Sequence, residues 1–196
     1  MTTHQNHEMK DGFLTVNDKI LRDSSTRYLR ARREEGASRG AFDTEIRKLG
    51  GVPRVETTVE RDAAPEAVAA ILGVEAGTET ATRKRQMFSA DRLVQLADSY
   101  IPLDVAEAAG IEQADPGKGG IISRMAEAGF EQAEVTEEIQ QHSATEAEAT
   151  ALGIETGTLL LRIIHVGRTS EGRAVEVTVH TLAPNAWVLR YSVPTS

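Results

Sequence analysis

Arg83 and Arg85 stand two residues apart in Glu79–Phe88, a run that alternates as a β-strand does, so both guanidinium groups leave the same face of a sheet. Such a pair repels itself unless something negative lies between the two charges: a ligand carboxylate, a phosphate or internal acids. Otherwise it is an accident of an exposed face. Glu138 and Glu176, each inside another alternating run, are candidate internal acids and are also suited to ligand hydroxyls or amines. A second anion-binding feature is the turn Asp115-Pro116-Gly117-Lys118-Gly119-Gly120, which precedes Ile121–Ala128, a run with Ile122, Met125 and Ala126 along one helical face. Free backbone N–H groups and the positive end of a helix dipole suit it to a carboxylate or phosphate, while as a bare motif it also reads as a structural turn. It is not a nucleotide P-loop, because Gly-x-x-x-x-Gly-Lys-Ser/Thr is absent.

No catalytic set accompanies these groups. His142, His165 and His180 fall on different strands, and neither Gly-x-Ser-x-Gly nor His-Glu-x-x-His occurs. His4 and His7 lack a partner at helical spacing, and there is no cysteine, so neither a metal site nor thiol chemistry is expected, and nothing calls for a cofactor. A net charge of −8 argues against the whole chain being a nucleic-acid surface. The basic cluster is confined to Arg27–Arg39, read as a solvated linker with Glu34 and Glu35 as internal partners, or else as a phosphate-contacting patch. The N-terminus has no apolar signal core and no apolar run is long enough to span a membrane, which makes a cytoplasmic protein the expectation.

The elements that position these residues come as a repeat. Ala64, Glu66, Ala67, Ala69, Leu72, Gly73, Glu75, Gly77 and Thr78 recur as Ala144, Glu146, Ala147, Ala149, Leu152, Gly153, Glu155, Gly157 and Thr158. Each copy reads as an Ala-rich helix, a glycine stop, a turn and two strands: Glu79–Phe88 and Leu93–Tyr100 in the first, Leu159–Gly167 and Ala174–Leu182 in the second. Further strands are expected at Arg54–Arg61 and Glu131–His142, with Trp187–Val193 closing the chain, and a short helix at Pro102–Gly110. Two copies are too few for a solenoid. The expectation is one α+β domain of two pseudo-symmetric halves, an antiparallel sheet with helices on one face and the other partly open, and a ligand cleft where the halves meet.

Several of these residues, in order, resemble a known family. They are Arg83-Lys84-Arg85, Val94-Gln95-Leu96-Ala97-Asp98-Ser99-Tyr100-Ile101-Pro102, Gly117-Lys118-Gly119-Gly120-Ile121-Ile122-Ser123-Arg124, Glu138, Glu148-Ala149, Leu152-Gly153 and Gly172-Arg173-Ala174-Val175-Glu176-Val177. From about Arg39 to the end, the chain resembles the UTRA effector-binding domain of GntR-type transcriptional regulators of the HutC subfamily. The resemblance implies a chorismate-lyase-like antiparallel sheet with flanking helices, usually dimeric, binding a small acidic, phosphorylated or polar metabolite. It implies that Arg83 and Arg85 hold the acidic group and that Ser123 and Arg124 close over it. Glu138, Glu176 and Tyr191 then read its polar groups, with Tyr100 lining the cleft and His142 also among the expected ligand-binding residues.

The chain also departs from the family pattern. Only Asp11–Val16 resembles the last strand of the winged helix-turn-helix with which relatives begin, so residues 1–38 are expected to be an arm and linker and 39–196 the ligand-binding domain. DNA would be reached only through a missing domain or a partner regulator. His142 stands where many relatives have arginine and Asp98 where a small hydroxyl residue is common, which implies a less basic cleft. The function expected is a homodimeric metabolite sensor. The alternatives are an enzyme that has recruited the fold, or a decoy that pairs with a full-length relative.

Overall fold

The computed structural model describes residues 8–10, 13–15, 19–33 and 39–192. At the N-terminus β1 (Glu8–Lys10) and β2 (Phe13–Thr15) pair as a small antiparallel hairpin. Then come β3 (Ile20–Asp23), the short turns of helix α1 (Ser24–Arg27) and α2 (Arg30–Arg33), and α3 (Ala41–Lys48).

Both repeats fold as strand, helix, strand, strand. The first is β4 (Pro53–Ala63), α4 (Glu66–Leu72), β5 (Glu79–Ser89) and β6 (Arg92–Pro102). Between the repeats lie α5 (Leu103–Ala109) and α6 (Gly120–Glu127). The second repeat is β7 (Glu134–Ser143), α7 (Glu146–Leu152), β8 (Leu159–Arg168) and β9 (Ala174–Leu182). Gly73 and Gly153 end α4 and α7 in the left-handed region, at φ 71° and 65°, where only glycine is at ease. The same strand-entry bond closes both turns, from Ala64 N to Thr78 O at 3.1 Å and from Ala144 N to Thr158 O at 2.9 Å.

The six strands form one antiparallel sheet in the order β4-β5-β6-β9-β8-β7, which is unchanged when the halves are exchanged. Register decides which side chains share a face. One row across the sheet runs Val59, Arg83, Ser99, Thr178, His165, Glu137; the adjacent row, on the opposite face, runs Thr58, Lys84, Asp98, Val179, Ile164, Glu138.

Helices cover both faces rather than one. On the first, α5 and α6 pack over Ala81 and Ile101, and Phe42 and Ile46 of α3 pack over Met87 and Ala97. On the second, α4 seats Val68, Ala69 and Leu72 over Val166 and Val177, and α7 lies against Leu160. The strand expected to close the chain, β10 (Trp187–Arg190), leaves the main sheet and pairs in parallel with β3, across the expected boundary at residues 38 and 39. Trp187 Nε1 donates to Val94 O at 2.8 Å, which anchors this ribbon to β6. Among the described residues no helix is long and apolar enough to cross a membrane.

The matched caps carry a test of the pseudo-symmetry. A Cβ added at Gly73 or at Gly153 meets no atom within 4 Å, so Gly→Ala at either site isolates backbone strain. Chemical denaturation should show losses of about 1 kcal/mol each, equal within about 0.5 kcal/mol. A large inequality would show that the two stops are not equivalent.

Candidate functional site

A cavity of about 300 Å³ opens on the first face. Its floor is sheet: Arg83, Arg85 and Met87 from β5, His165 from β8, Glu176 and His180 from β9. Its roof is the N-terminal segment through Arg27 and Tyr28, the first turn of α3 with Phe42, and the glycine turn leading into Ile121 and Ile122 of α6. The halves thus meet over it, as the repeat predicts.

Arg83 is 1% exposed. Its guanidinium donates to the carbonyls of Ile111 and Gln113 at 2.5 Å and of Ala114 at 3.0 Å, and so holds the chain that runs from α5 to the glycine turn. Arg85 donates to Ser99 Oγ. Among the described residues neither arginine has a carboxylate within ion-pairing distance, and the Nε of each is buried without a partner. Burial, with the charge of Arg85 beside it, lowers Arg83 to about 10, and burial lowers Arg85 as well. Both remain cations at neutral pH. The expected pair therefore exists as one buried and one partly buried guanidinium, incompletely neutralised and facing a cavity.

Glu176 supplies the opposite sign. It accepts from Thr178 Oγ1 at 2.6 Å and from Gln132 Nε2 at 2.7 Å, and His165 Nε2 lies 3.6 Å from it. Burial pushes its carboxyl up, but His165, Thr178 and Gln132 outweigh that and hold it at about 2. Gln132 reaches it through space that a side chain would fill, since a Cβ on Gly167 would meet Gln132 Cδ at 2.2 Å. His180 is driven well below its ordinary value by burial and by Arg22, Arg27 and Arg85, so it is neutral. Its Nδ1 accepts from Gln95 Nε2 at 3.0 Å. Tyr28 stacks on His165 with centroids 5.1 Å apart and bonds to Glu137, which also binds Arg22 and Tyr191.

Of the residues expected in the site, Arg83, Arg85 and Glu176 come together. The others do not. Tyr100, Glu138 and His142 lie on the opposite face by strand alternation. Tyr100 packs by α4, Glu138 accepts from Gln140 at 3.4 Å, and His142 joins Glu148 and Arg162, each at 2.7 Å. Asp98 is on that face too, in a separate hollow of about 370 Å³ beside α7 that Arg85 also borders, and its charge acts on Arg85 from behind the sheet. Ser123 is buried within α6 and Arg124 pairs with Glu127 at 2.9 Å; the start of that helix lines the cavity, not these two. Tyr191 stands outside, donating to Glu137 at 2.7 Å.

Sequence reasoning missed Tyr28, Phe42, His165 and His180 here, and read Arg27 as part of a linker or a phosphate-contacting patch rather than of this cavity. One signal was available: His165 holds in the second repeat the place that Arg85 holds in the first. Arg27 is not solvated but buried in an ion pair with Glu45, while Glu34 and Glu35, its expected partners, fall outside the described residues.

Comparison with known proteins gives a consistent result. The family model described as UTRA domain matches residues 49–186. An uncharacterised HTH-type transcriptional regulator from Streptomyces coelicolor is 30% identical over 144 residues, covering 71% of this chain; the chain spans about half, 54%, of that relative's length. Among solved structures, a GntR-family transcriptional regulator superposes with a TM-score of 0.74 at 23% identity, over 96% of this chain and 76% of its own. PhnF from Mycobacterium smegmatis superposes at 0.72 and 15%, over 96% and 78%. The ligand-binding domain of a GntR-family regulator from Bordetella bronchiseptica superposes at 0.62 and 23%, over 72% and 90%. At these identities the superpositions establish the fold, an α+β sheet of the chorismate-lyase-like kind.

The depressed carboxyl of Glu176 sets a pH dependence. Its folded value of about 2 lies below the ordinary 4.5, so the unfolded chain binds the extra proton between those limits and stability falls as pH drops through that window. Glu176→Gln should flatten this part of the stability curve in acid denaturation followed by circular dichroism. An unchanged slope would mean that Glu176 is not held as described.

Proposed function

The chain belongs to the UTRA domain family, the effector-binding domain of GntR-type transcriptional regulators, and from that premise we propose that its effector is a small anionic metabolite held by Arg83 and Arg85. The observation that carries this is the pair of guanidinium groups, Arg83 buried and Arg85 partly so, on one wall of a cavity, neither with a carboxylate in ion-pairing contact among the described residues. Desolvated cations of that kind bind a carboxylate or phosphate far more strongly than exposed ones, and a bound anion offsets the cost of burying them.

The rest of the cavity fits a ligand with an apolar body and a second polar end. Phe42, Met87 and Ile121 supply apolar wall, and Glu176, ionised and aimed from β9, accepts from a hydroxyl or an amine. In this proposal Tyr100, Glu138, His142, Ser123, Arg124 and Tyr191 support the fold around the site without touching the ligand. The working unit is a homodimer, as the family resemblance implies, and its effect on DNA is exerted through a further domain or a partner regulator. Family membership favours this sensor over a recruited enzyme.

Thermal denaturation across a panel of small carboxylates, phosphomonoesters and neutral sugars tests the reading. Anionic members should raise the melting temperature, and Arg85→Ala should weaken their binding by about a hundredfold, roughly 3 kcal/mol, for a charge-assisted bond in a desolvated site. Stabilisation by neutral sugars alone, or anion binding indifferent to Arg85, would remove the basis of the proposal.

A further inference from the structure

Resting on that anion-site reading, we propose that Arg27 is a third ligand-binding guanidinium, held by Glu45 until an anion takes the place of that carboxylate. Arg27 ends α1 and is 7% exposed, yet it lines the same cavity as Arg83 and Arg85. It lies outside residues 49–186, the part of the chain that the family model matches. The cavity is therefore completed by a segment upstream of the family domain.

The ion pair itself is incomplete. Arg27 meets Glu45 through one carboxylate oxygen, and Glu45 Oε2 is buried without a hydrogen-bond partner. A guanidinium and a carboxylate reach full strength as a fork of two parallel bonds, which leaves neither oxygen idle. Glu45 thus neutralises Arg27 without saturating it. Of the guanidinium groups that line the cavity, Arg27 is paired with Glu45 behind the wall, whereas Arg83 and Arg85 have no carboxylate in ion-pairing contact among the described residues. His180, which lines the same cavity, is lowered by burial and by the charges of Arg22, Arg27 and Arg85.

An anion seated between Arg85 and Arg27 draws on both charges at once. Glu45 is its competitor for Arg27, fixed in α3 one turn beyond the cavity-lining Phe42. Removal of the competitor and removal of the cation should therefore act in opposite directions on affinity. Both should destabilise the unliganded chain, because each leaves a buried charge without its partner. Opposed effects on binding alongside like effects on stability separate a ligand-binding role from a structural one.

The test is calorimetric titration of inorganic phosphate into the whole chain and into Arg27→Met, Glu45→Gln and Arg85→Ala, with melting temperatures recorded in phosphate-free buffer. Phosphate should bind the unaltered chain saturably, Arg27→Met should weaken it about tenfold or more, and Glu45→Gln should tighten it about threefold or more. Both pair variants should melt lower than the parent. If the unaltered chain binds no phosphate, the anion-site reading falls and this proposal with it. If binding is lost in Arg85→Ala but unchanged in Arg27→Met, the anion site stands and the assignment of Arg27 is overturned. If Arg27→Met does not fold, Glu45→Gln decides: tighter binding supports the competition, and equal or weaker binding refutes it.

Discussion

The antiparallel pairing of β6 with β9 joins two strand-helix-strand-strand units that could not bury their own faces. Each unit alone would leave its third strand as an open edge, with a row of unpaired backbone groups and a sheet too small to hold a core. Joined, the two third strands become the centre of a six-stranded sheet, with all but one residue of β9 buried and β6 buried at six of its eleven positions. The same pairing puts Ser99 opposite Thr178 and so carries Arg83 and Arg85 of one half and His165 and Glu176 of the other onto a common face. The site is a consequence of the junction.

Symmetry at the level of backbone has been broken at the level of side chains, and the breaks fall where polar chemistry appears. Val68 and Ile71, which seat α4 on the apolar surface of the second half, are replaced in α7 by Glu148 and Ala151. The Glu148 carboxylate then caps its own helix through Thr145 and binds His142 and Arg162, and the surface beside α7 is hollow and polar where its counterpart is packed. On the opposite face the break runs the other way. The first half received α5 and α6, whose connecting chain supplies three carbonyls to Arg83, whereas the second half is covered by the N-terminal ribbon. Carbonyl dipoles hold a buried guanidinium in place without cancelling its charge. That difference keeps Arg83 fixed while leaving its charge without a counter-charge in contact among the described residues.

Much of the fold was legible because its signals are local. Alternation within Glu79–Ser89, the glycine stops at Gly73 and Gly153 and the recurrence of the helix-turn segment each depend on a few neighbouring residues, and all reappear in the structure. What could not be read was phase between strands. Alternation shows that Arg83 and Arg85 share a face, but whether Glu138 or Glu137 joins them depends on the register of β7 against β8, fixed by contacts across the sheet. Tyr100 and His142 went to the opposite face for the same reason. Arg27 was hidden differently: among so many charges it resembles a solvated helix, and only its contact with Glu45, eighteen residues away, takes it out of water.

Those long-range contacts make the cavity something other than a hole in a rigid sheet. Glu137, on edge strand β7, binds Arg22 and Tyr28 from the N-terminal segment and Tyr191 from the C-terminal one; burial pushes its carboxyl up, but these partners pull it down to about 2. Tyr28 then stacks on His165, whose Nδ1 is 3.1 Å from the tyrosine hydroxyl and whose Nε2 faces Glu176. Glu176, the groups that surround it, Arg22 and Tyr28 of the N-terminal segment and Tyr191 near the other end therefore belong to one polar network. Its members are buried and few of them have an alternative partner, so a ligand that draws on Glu176 or His165 changes what Tyr28 is offered. The N-terminal ribbon is tied to the sheet by β3 pairing with β10, by Arg22 and by Tyr28; two of these three ties are polar groups of the same network. Residues 22–28 are thus tied through Arg22 and Tyr28 to the same hydrogen-bonded groups that line the cavity.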